Sequence, residues 1–326
     1  MSSNDIFQGA SEASRHVWTK LRSSINAIDV YTAVIMVVYS MLSLVYYRDV
    51  ANASSVIVQD AIIGLMIMTV VLLASITGSP LFTALRYFYV IPVIYLMYDQ
   101  THIFVHVVHP VDYDAELIAA DRWMFGTDPT TWLERFSFPA LTEYLQLCYF
   151  LFYLMPIMQA WEWWRKDEKV NLDLFARGIT FCYFLSYLLY FIMPAIGPRF
   201  TLHNFHTLDV DLPGLLLTPW LRDIIDVGGG VARNMANPEL FVNRDCMPSG
   251  HTMMTLVNIL FAFRLKSRFR WFFAVVGGSL ILSTVYLRYH YGVDVLVGSF
   301  LALTMLPIEP KVNAWISVQK KRWSSV

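Results

Sequence analysis

Eight apolar stretches, each near the length a helix needs to cross a bilayer, constrain this chain more than any other feature. They lie at about 28–47, 56–77, 81–98, 141–163, 174–196, 249–264, 271–289 and 292–308. Inside lipid every backbone amide and carbonyl must find its partner within the chain, so a spanning segment is a helix or a strand of a closed barrel. The runs are continuous rather than alternating, which excludes the barrel. Of 326 residues 56% are hydrophobic and only 15% charged, a balance foreign to soluble domains of this size. The expected fold class is therefore all-α, a polytopic integral membrane helical bundle with about eight transmembrane helices. A net charge of −1 leaves no basic field for nucleic acid.

Lysine and arginine set the expected orientation. Basic clusters fall at 15–22, 165–169, 264–270 and 311–322, all on one side if the N-terminus is inside. The opposite side carries scattered arginines, no lysine, and a loop rich in carboxylates from Asp99 to Glu134. Both termini are thus expected in the cytoplasm, in a plasma or inner membrane. The polar segment 1–27 reads as a cytoplasmic N-terminal tail and 309–326 as a basic cytoplasmic C-terminal tail. Between them, 28–163 reads as N-terminal transmembrane helices with an outer interfacial loop at 99–140. The segment Ala120–Thr131, with Trp123 and Phe125, suits the membrane interface or a cover over a lipid cleft.

Two polar islands interrupt the apolar pattern near the end. The first is Asp245-Cys246-Met247-Pro248-Ser249-Gly250-His251-Thr252, and the second runs from Ser283 to Asp294. With Gly197-Pro198-Arg199-Phe200 they fall on the same, outer, side of the predicted topology, the periplasmic or lumenal face. Ionisable groups at the ends of spans are costly without a use. His290 and Asp294 are four apart, so on a helical turn the carboxylate accepts from one ring nitrogen and frees the other to attack. A structural ion pair at that spacing is the alternative. Pro248-Ser249-Gly250 opens a helix whose free amides suit an anion, with Ser249 as cap and Gly250 allowing close backbone approach. Arg199, Arg244 and Arg288 offer forked bonds to phosphate oxygens. No metal is expected. His102, His106 and His109 have helical spacing but sit beside Trp- and Tyr-bearing sequence, which favours packing over a metal centre. Cys148 and Cys182 lie within apolar runs, and Cys246 alone should be reachable by thiol reagents.

These islands carry a resemblance. Pro248-Ser249-Gly250-His251 resembles the second signature of the type 2 phosphatidic acid phosphatase (PAP2) superfamily. Ser283 to Asp294 resembles its third signature: serine, arginine, five residues, histidine, three residues, aspartate. The likeness covers roughly 174–308 and implies a PAP2-like catalytic core. It implies His290 as nucleophile, Asp294 as the residue orienting it and His251 as proton donor to the leaving group, with no cofactor. Two departures stand out. Ile192 and Phe200 replace the usual lysine and proline of the first signature, and Thr284 takes the usual arginine position of the third. These changes, with Tyr286-Leu287-Arg288-Tyr289-His290-Tyr291, are similar to the inositol phosphorylceramide synthase and sphingomyelin synthase branch. The implied reaction moves a phosphoryl or phospho-headgroup from a membrane phospholipid or lipid phosphate to water or to a lipid hydroxyl. A non-catalytic transport or scaffold protein on the same fold is the alternative, and it would not need the histidines.

Overall fold

The computed structural model describes residues 17–324, and among these every regular element is a helix. The tail expected at 1–27 lies outside the described residues for its first sixteen positions. The chain divides into two compact units. One runs to Thr101 and resumes at Glu309; the other runs from His102 to Ile308.

The first unit contains α1 (Ala27–Val45), α2 (Ala53–Thr77), α3 (Pro80–Phe88) and most of α4 (Val90–Val108), with the C-terminal helix Glu309–Ser324. Asn26 starts α1 by a capping box: its side chain accepts from the amides of Ile28 and Asp29, and Asp29 accepts from the Asn26 amide. The same Asp29 carboxylate holds Arg86 at 2.5 Å and the Tyr89 hydroxyl at 2.6 Å, tying α1 to the chain after α2. Asp60, within the apolar α2, is buried and accepts from Ser40 at 2.9 Å and Gln100 at 3.1 Å. Val58, Ile62, Leu65 and Met66 instead stand exposed along one face of α2. An exposed apolar stripe beside a paired, inward carboxylate is the pattern of a lipid-facing helix.

The second unit holds α5 (Asp114–Phe125), α6 (Pro129–Glu134), α7 (Pro139–Phe150), α8 (Met155–Arg165), α9 (Lys169–Leu189), α10 (Thr218–Gly228), α11 (Gly250–Arg264), α12 (Arg270–Tyr286) and α13 (Gly292–Met305). Helix α11 packs against α9, α12 and α13. Small residues set how close these helices come. At Gly298 of α13 a Cβ would meet the Ser249 carbonyl oxygen at 2.6 Å, so only glycine lets α13 lie against the start of α11.

Among the described residues four helices are long and apolar enough to cross a membrane, and two interrupted pairs raise the number to six when each pair is one span. Eight apolar stretches are present, but α11 has 15 residues and α12 has 17. At 1.5 Å per residue 15 residues reach roughly 22 Å, short of the roughly 30 Å hydrocarbon core. Both helices give up length to the polar turns that carry the islands.

Gly298→Ala is expected to destabilise the purified protein by about 1–3 kcal/mol, through overpacking against Ser249, and to cut activity. Gly278→Ala is the control, because a Cβ there meets nothing within 4 Å. Thermal unfolding in detergent checks the pair, and equal midpoints for the two variants would remove the close-packing argument.

Candidate active site

Each histidine sits where a helix begins or is about to begin. Ser249 is the cap of α11: its hydroxyl oxygen accepts from the Thr252 amide at 3.2 Å while its proton goes to the Thr252 hydroxyl at 3.0 Å. Gly250 leaves room for the Tyr190 hydroxyl, which a Cβ would meet at 2.5 Å. His251 follows, its ring between Tyr149 (centroids 4.6 Å, nearly parallel) and Phe152 (4.3 Å). His290 lies on the turn between α12 and α13. That turn is closed by the Thr284 carbonyl, which accepts from the amides of Tyr289 at 3.0 Å and His290 at 2.9 Å, with Arg288 in the left-handed region at φ 67°. The result brings His290 Nε2 to 3.5 Å from His251 Nδ1.

His290 Nδ1 bonds to the backbone carbonyl of Cys246 at 2.9 Å. This fixes the tautomer, with the proton on Nδ1 and the lone pair of Nε2 turned toward His251. Asp294 Oδ2 lies at 3.6 Å from Nδ1, outside hydrogen-bond range. The sequence spacing suggested a direct bond. The difference arises because α13 begins only at Gly292, so His290 is not on its helical face. Asp294 is the third residue of α13, and its Oδ2 accepts from the Tyr291 amide at 3.0 Å and from the Cys246 thiol at 2.8 Å. Its charge still faces the imidazole from a fully buried position. Cys246 is itself 3% exposed, so it is not the accessible thiol reporter expected from sequence.

All three arginines expected to hold phosphate are present near these elements, and each faces a carboxylate. Arg199 pairs with Asp226, and its guanidinium stacks over Tyr289 at 4.8 Å and Phe200 at 4.7 Å. Its amide donates to the Arg288 carbonyl at 3.0 Å, which links the Gly197 turn to the His290 turn. Arg288, 1% exposed, pairs with Asp211 at 2.8 Å and Glu134 at 3.2 Å. Arg244 pairs with Asp112 at 2.8 Å. Each of the three guanidinium groups is thus already paired with a carboxylate.

Helix α5, in the segment read as interfacial, supplies two residues that sequence reasoning did not single out. Asp114 accepts from the amides of Ile196 (3.0 Å) and Gly197 (2.8 Å) and from the Tyr291 hydroxyl (2.7 Å). Asp121 accepts from the amides of Gly292 (2.8 Å) and Val293 (2.7 Å), capping α13. Tyr149 and Phe152 were also hidden, being two aromatics among many in an apolar run. Their only sequence signal is position on the stretch that precedes the core. His109 meets Tyr113 at 3.3 Å, and His102 stacks on Tyr190. Among the described residues, the metal-capable group is Cys246, His290 and Asp294, not the 102–109 histidines.

A family model described as the PAP2 superfamily matches residues 115–308, more than half the chain, and the match takes in His251, His290 and Asp294. The chain belongs to the PAP2 superfamily. Membership, with the long apolar helices, makes it an integral membrane protein and supports an activity of phosphatase or phosphotransferase type. No curated protein and no solved structure matches it.

Asp121 gives a pH signature. Burial pushes its carboxyl up to about 6 from an ordinary 3.8. Between those values the folded chain holds a proton that the unfolded chain has released. The stability this group contributes is therefore complete below 3.8 and is lost as pH rises through about 6. Measured against Asp121→Asn, which does not titrate, the wild-type unfolding midpoint should fall across that window and run parallel above it. Parallel curves throughout would show that the carboxyl titrates normally.

Proposed function

We propose that this PAP2 superfamily member transfers a phosphoryl or phospho-headgroup from a lipid phosphate ester through a phosphohistidine on His290. The observation that carries the reading is the facing pair of ring nitrogens, His290 Nε2 and His251 Nδ1, with the His290 proton held away on the Cys246 carbonyl. The Nε2 lone pair forms the N–P bond as the P–O bond to the leaving group breaks. His251 protonates the departing oxygen. The acceptor hydroxyl then loses its proton to His251, its oxygen bonds phosphorus, and the N–P bond breaks. Reacting atoms approach to about 3–3.5 Å before bond formation. The two imidazoles must therefore part as substrate enters, and His251 Nδ1, which also lies 3.4 Å from the Tyr149 hydroxyl, must give up its contact with His290. Developing charge is met by the amides at the start of α11, including Gly250, and by Arg199, Arg244 and Arg288 once their carboxylates are displaced.

The acceptor is water in a phosphatase and a lipid hydroxyl in a transferase. Similarity of Tyr286–Tyr291 to the inositol phosphorylceramide synthase branch supports the lipid hydroxyl. The basic clusters at 165–169, 264–270 and 311–322 support cytoplasmic termini and a site facing the periplasm or lumen.

The test supplies purified protein with labelled phosphatidic acid, and separately with labelled phosphatidylinositol and ceramide, and separates the products. Label in free phosphate from phosphatidic acid, or in inositol phosphate from phosphatidylinositol, marks hydrolysis; label on ceramide marks transfer. His290→Ala should lose at least a hundredfold in turnover, and Asp294→Asn should keep a residual rate because it does not itself react. Retention of more than about a tenth of wild-type turnover by His290→Ala would rule out a covalent role. Absence of both products would favour a non-catalytic protein on this fold. Turnover should also survive a chelator, since the charge stabilisers are arginines and amides; loss restored by zinc or magnesium would sink that part.

A further inference from the structure

We propose that Cys246, His290 and Asp294 form a binding site for one thiophilic divalent cation, of the zinc or cadmium class, and that filling it silences the nucleophile. The three candidate donor atoms lie within 4.8 Å of one another. Cys246 Sγ is 3.6 Å from His290 Nδ1, His290 Nδ1 is 3.6 Å from Asp294 Oδ2, and Sγ is 2.8 Å from Oδ2. Around a tetrahedral zinc with the usual bond lengths, neighbouring S, N and O donors stand roughly 3.4–3.6 Å apart. Two of the three separations already fit. The third opens once the thiol proton that now joins Sγ to Oδ2 has left.

Charge and polar satisfaction point the same way. Cys246, His290 and Asp294 are 3%, 4% and 0% exposed. A thiolate and a carboxylate with a doubly charged cation make a neutral cluster, the form a buried site tolerates. Asp294 Oδ1, fully buried, has no hydrogen-bond partner. That is an unspent acceptor on a residue already committed to the cluster.

The consequence for the imidazole follows from proton counting. The cation takes the lone pair of Nδ1, the sulfur and a carboxylate oxygen. The thiol proton leaves to solvent, and the proton displaced from Nδ1 reappears on Nε2. One proton is released per cation, and Nε2, the nitrogen assigned to attack phosphorus, no longer has a lone pair to give. This inhibition rests on the proposed role of His290; the binding does not.

The probe is cadmium chloride titrated into the purified full chain in detergent. Bound metal is counted by equilibrium dialysis, and thiolate ligation is read from its ultraviolet charge-transfer band. One cadmium per chain is expected. The chain has three cysteines, so the band should persist in Cys148→Ala/Cys182→Ala and vanish in Cys246→Ser. His290→Ala and Asp294→Asn should each weaken binding at least tenfold, and wild-type affinity should rise about tenfold per pH unit while the thiol is protonated. Zinc and cadmium should block turnover over the range in which they bind, reversed by chelator. A missing band in the wild type or in the double alanine variant overturns the site, whether or not Cys246→Ser folds. Binding without loss of turnover would leave the site standing and count against His290 as nucleophile.

Discussion

Free amides at the ends of buried helices are the constraint around which this site is organised. A helix start leaves several N–H groups without internal partners, and an apolar surround makes each one costly. Here carboxylates answer them. Asp121 takes the amides of Gly292 and Val293, Asp294 takes that of Tyr291, and Asp114 takes those of Ile196 and Gly197. Glu143 gathers the amides of residues 215 to 218 and the Thr218 hydroxyl at the start of α10. Each of these except Asp294 comes from a different helix than the one it caps. The caps therefore act as long-range fasteners, and they bring the turns bearing Arg199, His251 and His290 to one place.

The same carboxylate-rich end balances the arginines. Arg288 alone engages Asp211 and Glu134, and Arg199 engages Asp226. His203 shows the effect on a neighbour: burial, and then the positive charge of Arg288, lower it to about 4, so it is neutral near pH 7. In that form its Nε2 pairs with the Thr130 hydroxyl at 2.9 Å. The field at the site is thus close to compensated before any phosphate arrives. In the proposed reaction a substrate phosphate would gain guanidinium contacts by exchange with a carboxylate, which favours ligands bringing two or more negative oxygens in one group.

The apolar runs and the two histidines were legible in the sequence because each depends on local pattern. Run length needs only neighbouring residues, and Pro248-Ser249-Gly250-His251 announces its own helix start. The role of Asp294 was only half legible. Its spacing from His290 suits a helix, but the helix starts at Gly292 with Tyr291 as cap, two residues too late for that face to form. The Cys246 carbonyl that does hold His290 is a backbone group and leaves no trace in residue type. Asp114 and Asp121 looked like solvated loop charges, because the amides they cap lie more than eighty residues away or more. The count of about eight spans is not confirmed for a related reason: hydropathy does not reveal where a polar turn shortens a helix.

The aromatic residues complete the physical account of the site. Arg199 lies over Tyr289, Tyr289 stacks on Tyr149 at 4.4 Å, and Tyr149 stacks on His251 at 4.6 Å. This continuous column runs from a buried cation to the imidazole that faces His290. His290 has the opposite mounting, with directional bonds at its amide and Nδ1. His290 is thus held by short directional bonds, and His251 by ring contacts and longer approaches of the Tyr149 hydroxyl (3.4 Å) and His290 (3.5 Å) to its Nδ1. In the proposed reaction that asymmetry would suit a stationary nucleophile on His290 and a less tightly held proton carrier on His251.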